Sequence, residues 1–258
     1  MKKTDLVGLV LIILFVSGLS CAQGNLNIEE QKAKSAFMLN DLGIAHLKAE
    51  LYNEALEDFK QSIALKPNFA KPYNNLAMTY KLLGQTGLAR AALQKAIHID
   101  PNYAEAHFNL GVLYDNERSY EAAVESLKLA ISLQPDFAQA HNSLGVAYSD
   151  WGRRAEAVNA YRQAIRLKPD YAEAYNNLGT IEVERGRFEQ GISAFMLAIE
   201  LKPKLALAHY NLGVAFLKMK NREAALEQQR LLSGVDDRLA NKLFDGIYRG
   251  KVLHVGIR

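Results

Sequence analysis

Five of the chain's six prolines stand at 67, 101, 135, 169 and 203, and every step between them is 34 residues. A phrase recurs at the same interval: AKPYNNLA from 70, AEAHFNLG from 104, AQAHNSLG from 138, AEAYNNLG from 172 and ALAHYNLG from 206. With residue 36 as position 1 of a first unit, position 7 is Leu42, Leu76, Leu110, Leu144, Leu178 and Leu212. Position 8 is Gly43, Ala77, Gly111, Gly145, Gly179 and Gly213, and position 20 is alanine in every unit except Gly191. A fixed period of this length means an array of supersecondary units. Within a unit, apolar residues fall at helical spacing in two runs, such as Tyr175, Leu178, Ile181 and then Ile192, Phe195, Ile199. Gly84, Gly152 and Gly186 separate the runs, where a tight turn is needed. Gly and Ala at positions 8 and 20 let the two helices approach, and the proline stops the second helix. One such hairpin cannot bury its apolar face alone, so neighbours must stack into a continuous core.

The first run carries a large residue at position 4, Leu-Gly at 7 and 8 and usually an aromatic at 11. The second carries alanine at 20, a large apolar residue at 24, alanine at 27 and the closing proline at 32. This pattern closely resembles the tetratricopeptide repeat. The resemblance implies an all-α, right-handed superhelical solenoid of six 34-residue helix–turn–helix repeats, the first helix of each lining a concave groove. The repeats are expected at 36–69, 70–103, 104–137, 138–171, 172–205 and 206–237. Asn27-Ile28-Glu29-Glu30 reads as a capping box that starts a longer first helix near residue 28. At the other end Gln229 replaces the large apolar residue of position 24, and Asp237 replaces the proline. Residues 238–249 then offer Leu239, Leu243, Phe244 and Ile247 on one face, a C-terminal capping helix. The tail, 250–258, reads as disordered, with a short partner-pairing strand as the alternative.

Ahead of the array, MKKTD is a basic start and 6–16 is an apolar run of 11 residues leading to SGLS and Cys21, the single cysteine. That is a signal peptide, 1–20, followed by a linker and helix start over 21–35. Ser20 before Cys21 resembles a bacterial lipobox, although Leu19 sits one place late. The resemblance implies lipidation of Cys21 and an outer-membrane lipoprotein facing the periplasm. Cleavage after Ala22 and an uncleaved anchor are the alternatives, and all three place the array outside the cytoplasm.

No phosphate loop, GxGxxG, GxSxG, SxxK or HExxH occurs, so neither an enzyme nor a cofactor is expected. A formal charge of +3 over 258 residues is no nucleic-acid footprint. His107, His141 and His209 share position 4 in different units, roughly 10 Å apart. Zinc ligands must lie about 2 Å from the ion, so these three cannot share a metal and read as wedges between helices. Glu182 takes position 11, where Tyr80, Tyr114, Tyr148 and Phe216 stand elsewhere. It reads as a tolerated surface-edge substitution. Gly191 in the same unit reads as a helix-interior glycine costing about 1 kcal/mol, so this unit is expected to be weak and Gly191→Ala stabilising.

The family resemblance implies a scaffold binding a peptide or helix in its groove. The family's carboxylate clamp is absent: the corresponding Asn40, Ile44, Asn75, Glu105 and Asn109 lack the basic residues. Position 6 instead reads Asp41, Asn75, Asn109, Ser143, Asn177 and Asn211. This resembles the asparagine ladder in the groove of O-GlcNAc transferases, though asparagine is common at this position throughout the family. A ladder spaced by roughly 10 Å meets an extended peptide, rising about 3.3 Å per residue, at every third residue. Around it stand Glu105, Asp115, Asp150, Glu173 and Glu184, and in the last unit Leu207, Tyr210, Val214 and Leu217. The expected partner segment is therefore basic with a hydrophobic anchor. A self-associating structural component, or an unrecognised enzyme or carrier, is the other reading. Pilus-assembly lipoproteins and adaptors of cell-wall hydrolases share this layout.

Overall fold

A computed structural model describes residues 28–249 and 253–256. The signal segment, Cys21 and Asn27 of the capping box lie outside the described residues. These form thirteen helices and no strand: α1 Ile28–Lys48, α2 Tyr52–Leu65, α3 Ala70–Leu82, α4 Thr86–Ile99, α5 Ala104–Asn116, α6 Tyr120–Leu133 and α7 Ala138–Asp150, then α8 Arg154–Leu167, α9 Ala172–Glu184, α10 Phe188–Leu201, α11 Ala206–Lys218, α12 Arg222–Leu232 and α13 Asp237–Arg249. The chain divides into two compact units, one ending at Leu76 and one beginning at Ala77, with the border inside α3.

In the first unit α1 and α2 pair as a hairpin around Ala36, Ala55 and Phe59, all fully buried. Gly43 is needed here, because a Cβ would stand 2.6 Å from the Phe59 ring. Ser62 Oγ donates to the Ala36 carbonyl at 2.7 Å and ties the two helices together. His46 Nδ1 lies 2.5 Å from Asp58 Oδ2 across the same seam. Burial pushes the Asp58 carboxyl up, against the opposing pull of His46.

The second unit stacks the hairpins α5–α6, α7–α8, α9–α10 and α11–α12, each on the next, and ends in α13. One device recurs through it. A large position-24 side chain presses on the position-8 glycine of its own hairpin: Leu127 on Gly111, Tyr161 on Gly145, Phe195 on Gly179. These three side chains are fully buried. In the last hairpin position 24 is Gln229, and Leu243 of α13 presses on Gly213 in its stead, 2.5 Å from where a Cβ would stand. The capping helix therefore supplies the missing knob. It buries Ala240, Leu243 and Ile247, but Phe244 is exposed and stacks on Tyr248. The expectation that Phe244 faces the core is corrected: Leu239, half-buried against the same cluster, joins Ala240, Leu243 and Ile247 in the stripe instead.

Each hairpin turns at position 15 with a left-handed residue. Gly84, Gly152 and Gly186 hold φ near +73, +81 and +77°, whereas Glu50, Arg118 and Lys220 hold it near +60, +61 and +61°.

Candidate functional site

The position-6 asparagines do more than face outward. In the first unit Asn75 Nδ2 donates to Asn40 Oδ1 at 2.9 Å. In the second, Asn177 donates to Asn142 at 3.2 Å and Asn211 to Asn176 at 2.9 Å. Each bond joins position 6 of one repeat to position 5 of the repeat before it, between consecutive first helices. Asn177 and Asn211 are buried, Asn211 completely, while Asn75 and Asn109 are half-buried. The ladder is thus partly a repeat-to-repeat clip.

Asn211 has capacity left over, because a side-chain amide offers two donor hydrogens and an acceptor oxygen. Its Nδ2 also donates to the Gly256 carbonyl at 2.6 Å, and its Oδ1 accepts from the Gly256 amide at 2.8 Å. Thr180 Oγ1 lies 3.1 Å from the same carbonyl. One side chain therefore holds both backbone groups of Gly256. The residue it holds belongs to the chain's own tail.

Leu253 and Val255 fall on the inward side of that tail and the exposed His254 on the other. Leu253 and Val255 pack against the buried cluster that holds Tyr210, Val214, Leu243 and Ile247, which Leu207, Phe216 and Leu217 also flank. Tyr210 and Val214 are almost fully buried. The apolar end of the face is therefore covered by α13 and by 253–256, not open. The disordered-tail expectation is corrected for these four residues: alternate apolar side chains and a gripped backbone fix them.

The acidic residues divide. Glu105 and Asp150 are exposed. Asp115 is buried at a recess with Lys81, Val112, Asn116, Ser143 and Val146. Glu184 accepts from Arg154 at 3.1 Å. Burial works to raise the Glu173 carboxyl, but Lys202 at 2.8 Å outweighs it and holds the group below its ordinary value.

Two readings of unit 5 change. Glu182 is no surface-edge residue: it is 3% exposed and lies under Arg187 at 3.4 Å, Arg162 at 3.6 Å and Arg185 at 3.8 Å. Three guanidinium groups replace the aromatic ring of the other repeats. Gly191 is not a dispensable weak point either, since a Cβ there would overlap Val183 Cγ2 and lie 2.9 Å from the Gly179 carbonyl. The histidines are latches: Nε2 of His107, His141 and His209 donates to the carbonyl of Pro101, Pro135 and Pro203 at 2.9, 3.2 and 3.0 Å. Among the described residues no cluster of His, Cys, Asp and Glu could hold a metal ion.

Asn176, Thr180, Gly246 and the docking of the tail on its own array are not among the residues and contacts expected from sequence. The signals available were the alternation Leu253, Val255 and an interior glycine in a helix otherwise built to cap.

Comparison with known proteins fits this architecture. A TPR-repeat model matches residues 79–116, 119–152, 150–181 and 179–220, more than half the chain. Two further tetratricopeptide-repeat models match 59–91 and 38–66. No curated protein matches by sequence. Among solved structures the chain is similar to YrrB, described as a TPR protein with an unusual peptide-binding site, at 25% identity and TM-score 0.56 over 72% of this chain and 97% of that one. It is similar to MamA at 26% identity and TM-score 0.56, over 66% of this chain and 93% of that one. It shares its fold with PilF of Pseudomonas aeruginosa, at 17% identity and TM-score 0.73 over 83% and 98% of the two chains. By repeat period, helical hairpins and matching models, the chain belongs to the tetratricopeptide-repeat family.

Proposed function

We propose that this chain is a non-enzymatic scaffold that holds an extended segment of a partner protein along its first helices. In this reading it works at the bacterial envelope, exported and tethered by a lipid on Cys21. The observation that carries the proposal is the grip of Asn211 on Gly256. It is a working example, within the molecule, of a buried side-chain amide holding a peptide backbone through both its carbonyl and its amide. YrrB, with its peptide-binding site, supports the same class of ligand. Exposed Glu105 and Asp150 on first helices favour a basic partner segment.

Photoreactive residues placed at Glu105 and Asp150 in living cells test the reading, with Glu125 and Leu129 of a second helix as controls. The expected result is a discrete adduct from the first-helix positions alone. Equal adducts from both faces, or adducts only from α6, would overturn it.

A further inference from the structure

The tail has a purpose-built seat. Gly246 lies inside α13, where glycine weakens a helix relative to alanine. A Cβ at this position would overlap Leu253 Cδ1 and stand 2.7 Å from Leu253 Cγ. The seat is completed by Leu217, 3.4 Å from the same point. At the other end Asn211 holds the backbone of Gly256 from both sides, and Thr180 reinforces it. That end does not demand glycine, because a Cβ on Gly256 would meet only Leu207 at an ordinary 3.9 Å. The site therefore specifies an apolar residue, a spacer facing solvent, a second apolar residue and then a bare backbone grip.

We infer that 253–256 is a resident pseudo-ligand: the seat is a peptide site, and the tail guards it until an extended partner segment with apolar residues at alternate positions displaces it. The inference rests on the scaffold reading only for there being such a partner. Exchange is physically reasonable. The tail contributes two half-buried side chains and a few hydrogen bonds, set against the conformational entropy of ordering its backbone. Its departure would leave Leu253's notch open and the amide of Asn211 unpaired toward the tail, so the empty state favours refilling. A partner that brings the same pattern on a longer segment satisfies both.

The probe is a fluorescein-labelled peptide with the sequence of residues 251–258, with a version that moves its apolar residues by one place as control. Three full-length chains are compared by anisotropy: unaltered, Leu253→Asp, and Leu253→Asp with Gly246→Ala. The single variant should bind the peptide and the unaltered chain about tenfold more weakly, as expected when about a tenth of molecules are open. The double variant, its notch filled, should lose the peptide while circular dichroism stays unchanged. A chain ending at Arg249 should behave like Leu253→Asp. Should that truncation fail to fold, hydrogen exchange at 253–256 in full-length Gly246→Ala gives the independent reading, with loss of protection expected. Failure of the folded Leu253→Asp chain to bind the peptide would reduce the tail to a structural element and overturn the inference. So would a concentration-dependent dimer of the unaltered chain abolished by Leu253→Asp, which would make the seat a subunit-exchange contact. Peptide binding here combined with absent adducts at Glu105 and Asp150 would sink the scaffold reading and leave this one standing.

Discussion

At Glu182 the array has traded an aromatic ring for a buried carboxylate, and the trade is tolerable only because three cations surround it. Their own side chains are 27 to 61% exposed, so they stay hydrated while the carboxylate does not. Removal of any one of Arg162, Arg185 and Arg187 leaves two, and each single change to alanine should cost about 1 kcal/mol or less, as partly exposed pairs do. The triple change strands a buried charge and should cost about 3–5 kcal/mol. Urea unfolding of the four proteins reads this directly; additive, small effects would mean that water reaches Glu182. Gly191 makes a second residue-scale prediction. Alanine there collides with Val183 and the Gly179 backbone, so Gly191→Ala should destabilise by about 1–3 kcal/mol through overpacking. Propensity alone gives the opposite sign. The sequence shows that positions 11 and 20 depart from the pattern in this repeat, but not why. The reasons lie in Arg162, on the preceding hairpin, and in Val183, on the facing helix, and one chain read linearly does not display either contact.

The helical elements were readable because stacking imposes the same demand every 34 residues, and the demand leaves its mark at positions 7, 8 and 20 in every repeat and at position 32 in all but the last. Features that occur once leave no such register. Gln229 was visible as a break, but its remedy, Leu243 arriving from α13, lies outside the period. The same holds for Gly246 and the tail it seats, where a few alternating apolar residues are too short a signal to separate strand, disorder and docking. The turns offer a test at this scale. Glu50, Arg118 and Lys220 occupy the left-handed region that glycine takes at the same position in three other repeats. An L-residue there costs roughly 1–2 kcal/mol, and glycine's extra freedom in the unfolded chain returns about 0.5–1 of it. Arg118→Gly should therefore stabilise the protein by a few tenths to about 1 kcal/mol, read as a raised urea midpoint at unchanged slope. Gly152→Ala, with open space around it, should destabilise through the backbone alone. A lowered midpoint for Arg118→Gly would show that its side chain contributes more than the turn costs.

For the whole molecule, the proposed place of work rests on residues ahead of α1. Among the described residues no helix is long and apolar enough to cross a membrane. The proposed attachment is Cys21, seven residues before Ile28, the first residue of α1. A fully extended linker of that length reaches only about 25 Å, so a lipid on Cys21 would keep the start of the array close to the bilayer surface. Anchoring of this kind needs two hydrophobic signals, since one acyl chain binds membranes only marginally. A diacylglycerol thioether with an N-acyl chain exceeds that requirement. The full-length chain expressed in a Gram-negative host should then sediment with outer membranes and leave them only with detergent. Its mature form should begin at Cys21 and carry the lipid mass, and Cys21→Ala should stall processing or release the array to the periplasm. Intact mass separates the alternatives cleanly: a protein starting at Gln23 without lipid means ordinary cleavage, and one retaining residues 1–20 means an uncleaved anchor. Ordinary cleavage would remove the tether that fixes the array's distance from the membrane, whereas an uncleaved anchor would replace the lipid with the apolar run of residues 6–16; neither result touches the proposed peptide-holding face.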